Sequence, residues 1–217
     1  MWNRAWWLLA TASCVTALDG TTVIDEPVHT VIAELGKGDL QVFRGSGDRV
    51  VVEADVGGLG RVDGLSVHDG VLTVDYRCGG LDLCGADVAL ELPAGVTLDA
   101  MVGAGDVSLD ALDGDLRAVV SAGSVYAREI SGHDVHLAAA AGDVDAEFAL
   151  APGRVEAIVS GGHIGLVLPP GGYDLQLDAR TGHVHTAGVH HDEQSGHAVV
   201  AVAGAGSIDV SGSSHAD

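Results

Sequence analysis

A glycine that keeps returning in one setting constrains this chain more than any other feature. It stands at Gly105, Gly123, Gly142, Gly162, Gly182 and Gly206, at intervals of 18, 19, 20, 20 and 24 residues. The residues around it repeat with it. Two positions later come Val107, Val125, Val144, Ile164, Val184 and Ile208, all β-branched and aliphatic. Seven positions earlier come Leu98, Leu116, Val135, Val155, Leu175 and Val199; five earlier, Ala100, Ala118, Leu137, Ala157, Leu177 and Ala201; three earlier, Val102, Val120, Ala139, Val159, Ala179 and Ala203. No polar residue enters these four columns. Offsets of two place alternate residues on one side, which is strand geometry, whereas a helix would need spacings of three and four.

Each unit therefore reads as a strand, a tight corner at the glycine, a second strand and a looser return. Glycine supplies the corner's backbone angles, and the returns carry Pro152-Gly153 or Pro169-Pro170-Gly171 where no ladder donor is needed. Two short strands and two turns in 18–20 residues fit one rung of an all-β single-stranded β-solenoid, with rungs about 4.8 Å apart. An antiparallel meander sandwich would give similar strands, but has less reason to hold glycine and valine in fixed register. The stretch "VIAELGKGDLQV" repeats the offsets around Gly38 and reads as a first rung. The runs "VVVEADV", "GVLTVDY" and "DVALELPAGV" between them read as irregular rungs or a strand cap, without a domain break.

Composition agrees with a narrow aliphatic core: 47% of the chain is apolar but only 4% aromatic. Ten Lys and Arg against 31 Asp and Glu give a net charge of −21, which argues against nucleic-acid binding and against electrostatic adsorption to anionic lipid. The start, "MWNRAWWLLATASC", has one basic residue, a short apolar run and then small residues. That is a secretory signal pattern, too short to span a bilayer. "TASC" resembles the lipobox of bacterial lipoproteins, departing from it at Thr11. The resemblance makes residues 1–13 a signal peptide and Cys14 the lipid anchor, with cleavage after Ala12 as the alternative. Residues 14–27 would then be a tether, 28–211 the domain with regular rungs over 96–211, and 212–217 a disordered tail. With Cys14 lipidated, Cys78 and Cys84 remain as one pair in "YRCGGLDLCGADV", and export makes a disulfide between them the expectation.

The repeats "GAGDVSL", "AAGDVDAEF" and "LPPGGYDLQL", together with "YRCGGLDLCGADVALELPAGV", resemble the bacterial putative adhesin family of β-strand-repeat domains, over residues 28–211. The resemblance implies a right-handed β-solenoid in an exported or envelope protein, placed as an outer-membrane lipoprotein or at the cell surface. It brings no catalytic residues and no cofactor. The family's Gly-Asp corner is broken here by Ser124, His163, His183 and Ser207.

Three functions compete on the residues. One is a non-enzymatic envelope module that binds a protein or glycan partner, or itself. A second is a polysaccharide-active enzyme, but Asp106, Asp110, Asp143, Asp145 and Glu147 read more simply as a solvated outer surface, and a short stack offers little room for the cleft a carboxylate pair needs. The third is metal binding. His163 and His183 hold equivalent positions one rung apart and so should stack about 4.8 Å from each other, and His185, His190, His191 and His197 follow. Exposed polar residues are the simpler reading of all six, and no metal site is expected. One outward column, four positions before the glycine, is mostly apolar: Met101, Val119, Ala138, Ile158, Asp178 and Val202. It is either covered by residues 43–92, the simpler account, or an interface.

Overall fold

The computed structural model describes residues 13–15, 20–61, 64–77 and 79–213, and the described residues form strands without a helix. In chain order the N-terminal strands are β1 (Ser13–Val15), β2 (Gly20–Ile24), β3 (Thr30–Lys37), β4 (Leu40–Arg44), β5 (Val50–Arg61), β6 (Gly64–His68), β7 (Val71–Tyr76) and β8 (Gly79–Leu92). The repeats then give β9 (Thr97–Ala104), β10 (Val107–Asp110), β11 (Leu116–Ala122), β12 (Val125–Ile130), β13 (Asp134–Ala141), β14 (Val144–Phe148), β15 (Arg154–Gly161) and β16 (Ile164–Leu168). The last are β17 (Gly172–Ala179), β18 (Val184–Ala187), β19 (His190–His191), β20 (Ala198–Ala205) and β21 (Ile208–Gly212).

These strands build two mixed sheets, a front sheet of eleven and a back sheet of ten, facing each other in a sandwich-like arrangement that does not close into a barrel. Every repeat gives its first strand to the front sheet and its second to the back. Equivalent strands of neighbouring repeats pair in parallel, not as an antiparallel meander. In the front sheet Leu98, Leu116, Val135 and Val155 stand side by side. In the back sheet Val107, Val125, Val144 and Ile164 do the same. The register read from the glycines is thus the pairing register, and the inward columns are the core: Val107, Val125, Val144 and Ile164 are fully buried.

The corner glycines serve two purposes. Their φ angles lie in the left-handed region, +138° at Gly105 and +141° at Gly142. A Cβ on Gly123 would also collide with the carbonyl oxygen of Gly105, and one on Gly142 with that of Gly123, because each corner sits directly on the one before. Backbone strain and contact both exclude a side chain there.

The rung around Gly38 joins this stack as expected, with Val31 beside Leu98 and Leu40 beside Val107. The described strands within residues 43–92 extend and cap that end. β7 and β8 run parallel to β3 and β4, and β6, β5 and β2 close the end with antiparallel pairs. Residues 20–24, within the stretch expected to be a tether, form β2, because the alternating β-formers of "TTVI" bury Ile24 against β5.

The other end departs from the sequential stack. β20 lies between β15 and β17, and β21 between β16 and β18, so the last two repeats are exchanged in space. The fourth residue after the corner glycine accounts for the exchange. It is Leu109, Ala127, Ala146, Leu166 or Val210 in the buried rungs, all 4% exposed or less, but Thr186 in the repeat around Gly182. Placing the Val210 rung inside and the Thr186 rung at the end leaves that hydroxyl in solvent instead of in an aliphatic core.

The corner geometry gives a paired test. Gly142→Ala meets both the left-handed φ and a backbone carbonyl, whereas at Gly161 a Cβ would meet nothing within 4 Å. In urea unfolding, Gly142→Ala is expected to cost more than about 2 kcal/mol and Gly161→Ala less than about 1 kcal/mol. Likewise Val144→Asp, at a fully buried position, should unfold the domain or come close to it.

Candidate binding surfaces

With the core filled by aliphatic columns, chemistry on this molecule is confined to corners and outer faces. The residue after the corner glycine has a structural duty in four of the rungs. Asp39 accepts from the Asp106 N–H at 2.8 Å, and Asp106 from the Ser124 N–H at 2.8 Å. Ser124 Oγ accepts from the Asp143 N–H at 3.0 Å, and Asp143 from the His163 N–H at 2.7 Å. Corner amides that the turn leaves unpaired are satisfied this way by the preceding rung. Asp106 and Asp143 are therefore not the idle surface charges expected from alternation. Any short acceptor meets the need, which is why Ser124 can replace an aspartate.

The histidines do not gather as the sequential stack implied. The exchange of the last two repeats puts Ser207 between His163 and His183: the Ile164 N–H donates to the Ser207 carbonyl, and the Ile208 N–H to that of His183. His163 Nδ1 lies 2.9 Å from Ser207 Oγ, and its Nε2 lies 3.6 Å from Asp209. His191 Nδ1 accepts from the Leu175 N–H, and His197 donates to the Pro152 carbonyl with its ring 5.9 Å from Tyr173. His183, His185 and His190 are exposed. Among the described residues no three His, Cys, Asp or Glu side chains come together as a metal would need.

The outer face of the front sheet carries the apolar column. Met101, Val119, Ala138, Ile158 and Val202 pair in register across β9, β11, β13, β15 and β20, with Asp178 of β17 at the edge. The described strands within residues 43–92 do not cover it, because they continue the sheets at one end instead of folding over a face. Met101 keeps 39% of its surface, and the neighbouring column is only Gly103, Ser121, Ala140, Ser160 and Gly204. At its cap end a groove of about 300 Å³ runs between Met101, Val119 and Arg77, whose guanidinium pairs with Glu34 at 2.7 Å. On the other flank stands a ladder of polar pairs: Arg117 with Asp99 at 2.8 Å, the His136 ring with Glu156 at 3.4 Å and Arg154 with Glu156 at 3.6 Å.

The back sheet offers a second groove, of about 440 Å³, along Tyr126, Asp145, Gly165 and Asp209. These residues are neighbours across β12, β14, β16 and β21, and Gly165 leaves a notch between the two carboxylates. Tyr126 is 41% exposed beside it. Burial raises the Asp145 carboxyl above its ordinary 3.8; His163 opposes that rise and Asp143 adds to it.

Of the residues singled out in the sequence, Cys14 lies in β1 opposite Ser66, and Cys84 is buried on β8 opposite Gly58. Cys78, residues 1–12 of the expected signal peptide and residues 214–217 of the expected tail lie outside the described residues.

No family model and no curated protein matches the chain. Among solved structures, one described as a putative cell adhesion protein from Clostridium sporogenes shares the fold, with a TM-score of 0.50 over 89% of this chain and 99% of that one, at 12% identity. A putative adhesin from Parabacteroides merdae aligns with a TM-score of 0.36 over 88% of this chain and 95% of that one, at 10% identity. The two sheets of this chain are thus an arrangement also found in that bacterial protein.

Asp145 gives a pH test with a defined sign. Its folded-state pKa is raised, so the ionised form is the disfavoured one in the fold and stability attributable to this group grows as pH falls. Asp145→Asn should raise the thermal midpoint at pH 7. The gain should shrink as pH falls through the raised pKa and be absent below 3.8, where the carboxyl is protonated folded and unfolded alike.

Proposed function

We propose that this chain is a non-enzymatic, exported cell-envelope module, adhesin-like or scaffolding, which presents the outer face of its front sheet to a protein or glycan partner. The observation that carries the reading is the uncovered apolar column Met101, Val119, Ala138, Ile158 and Val202, flat because its neighbours are glycine, serine and alanine, and flanked by paired charges. An apolar strip beside a polar margin is what a recognition surface needs and what a freely diffusing protein does not. The fold shared with a putative cell adhesion protein supports the same reading. In this proposal the stack is a right-handed β-solenoid, Cys78 and Cys84 form a disulfide, and lipid on Cys14 tethers to the membrane a domain that its charge of −21 would otherwise keep away.

The groove along Tyr126 favours a narrower second reading, in which the partner is a carbohydrate. An exposed aromatic face beside the carboxylates Asp145 and Asp209 offers a sugar both a stacking surface and hydrogen-bond acceptors.

Two measurements test the principal reading. Full-length chain expressed in a bacterium should fractionate with membranes and carry lipid mass on an N-terminal Cys14, and Cys14→Ser should be released. A soluble parent beginning at Ser13 would remove the anchor. Used as bait for envelope extracts, Val119→Lys with Ile158→Lys should lose a partner that the parent retains, with an unchanged thermal midpoint. Equal retention would shift the site off this face.

A further inference from the structure

One end of the stack is closed and the other is open. At the capped end β2, the last strand of the back sheet, holds Ile24 at 2% exposed, and β6, beside β1 in the front sheet, holds Leu65 at 2%. At the opposite end the front sheet finishes with β17 and the two-residue β19, and the back sheet with β18. Every residue of β18 is exposed. Val184 is 45% exposed, although its equivalents Val107, Val125, Val144, Ile164 and Ile208 are all 0%. Leu175, Leu177 and Ala179 are only partly buried where Val199, Ala201 and Ala203 beside them are fully so.

The backbone at this end is unfinished too. The Ile208 N–H donates to the His183 carbonyl, so by the alternation of a parallel ladder Val184 and Thr186 turn their own N–H and C=O groups outward. In β17 the Asp174 N–H donates to the His197 carbonyl and the Arg180 N–H to that of Ala203, which turns Tyr173, Leu175, Leu177 and Ala179 outward. The loop after β18 serves only the first two of these: Asp192 N–H reaches the Tyr173 carbonyl, and His191 accepts from Leu175. Among the described residues, no strand lies beside Leu177, Ala179, Val184 or Thr186 on that side.

We infer that two copies of this chain associate through their open ends, each exposed edge pairing antiparallel with an exposed edge of the other copy. A lone extended peptide would satisfy one edge and leave the second bare. Another copy brings two edges at the same separation and the same unfinished columns, Leu175, Leu177, Ala179 and Val184, to bury against. The contact uses the same patch on both partners and so is twofold. It also stops at two, because a twofold contact uses up the open end of both copies. The charge of −21 on each copy opposes the association, so screening by salt strengthens it.

Sedimentation velocity on the full chain, from low to high micromolar concentration, tests this. The parent is expected to move from monomer to dimer mass, at lower concentration in high salt than in low. Val184→Lys, at an exposed position, and Thr186→Pro, which removes an outward N–H, should each remain monomeric with unchanged circular dichroism. Val23→Lys, 44% exposed at the capped end, should dimerise like the parent. Hydrogen exchange should slow at Leu177 and Ala179 as concentration rises. A parent that stays monomeric overturns the proposal, as does growth beyond the dimer. So does association indifferent to both open-end variants, which is what self-association through the apolar N-terminal run would give.

Discussion

Everything in this protein hangs on the contact between one corner glycine and the carbonyl of the corner before it. The backbone turns there through an angle that L side chains reach only with strain, and it does so against neighbouring backbone with no room for a Cβ. That approach sets the height of each rung and, through it, the register of both sheets. Once the corners are aligned, the aliphatic residues two after, and three, five and seven before, each glycine fall into continuous columns, buried in every rung but the one around Gly182 at the end. The corner acceptors Asp39, Asp106, Ser124 and Asp143 add the one set of hydrogen bonds the turn itself cannot make.

A fold of this kind spends its interior on packing and leaves recognition to the surface. Its outer side chains recur about every 4.8 Å along each column, so a property shared by one column becomes a stripe: apolar from Met101 to Val202, polar and ionisable from Asp99 to Glu156. The grooves between stripes are shallow and open to water.

The inward half of the molecule was readable because burial forbids polar residues, and six copies of the same prohibition leave a pattern. The outward half obeys no such prohibition, so its residues carried less. Asp143 looked like any surface carboxylate, and only the neighbouring rung reveals that it holds the His163 amide. The apolar column was visible in the sequence, but its lack of cover was not, since that depends on β5 to β8 prolonging the sheets instead of folding across them. Tyr126, Asp145 and Asp209 share no local motif. They meet because Gly165 stands between two of them in a pairing made by distant segments.

The sequence by itself determined the rung: its length, its corner, its two strands and the faces they bury, all of which follow from local geometry repeated in register. What it left open was the order in which rungs stack, because every rung offers its neighbours nearly the same edges and columns. Tertiary structure decided that order by burying the better core. The rung with Val199, Ala201, Ala203, Ile208 and Val210 went inside, and the rung with Thr186 went to the end, parting His163 from His183 and leaving Val184 at the surface. A hydroxyl costs little at a solvent-facing end and much in an aliphatic column, and that comparison exists only once the rungs are stacked.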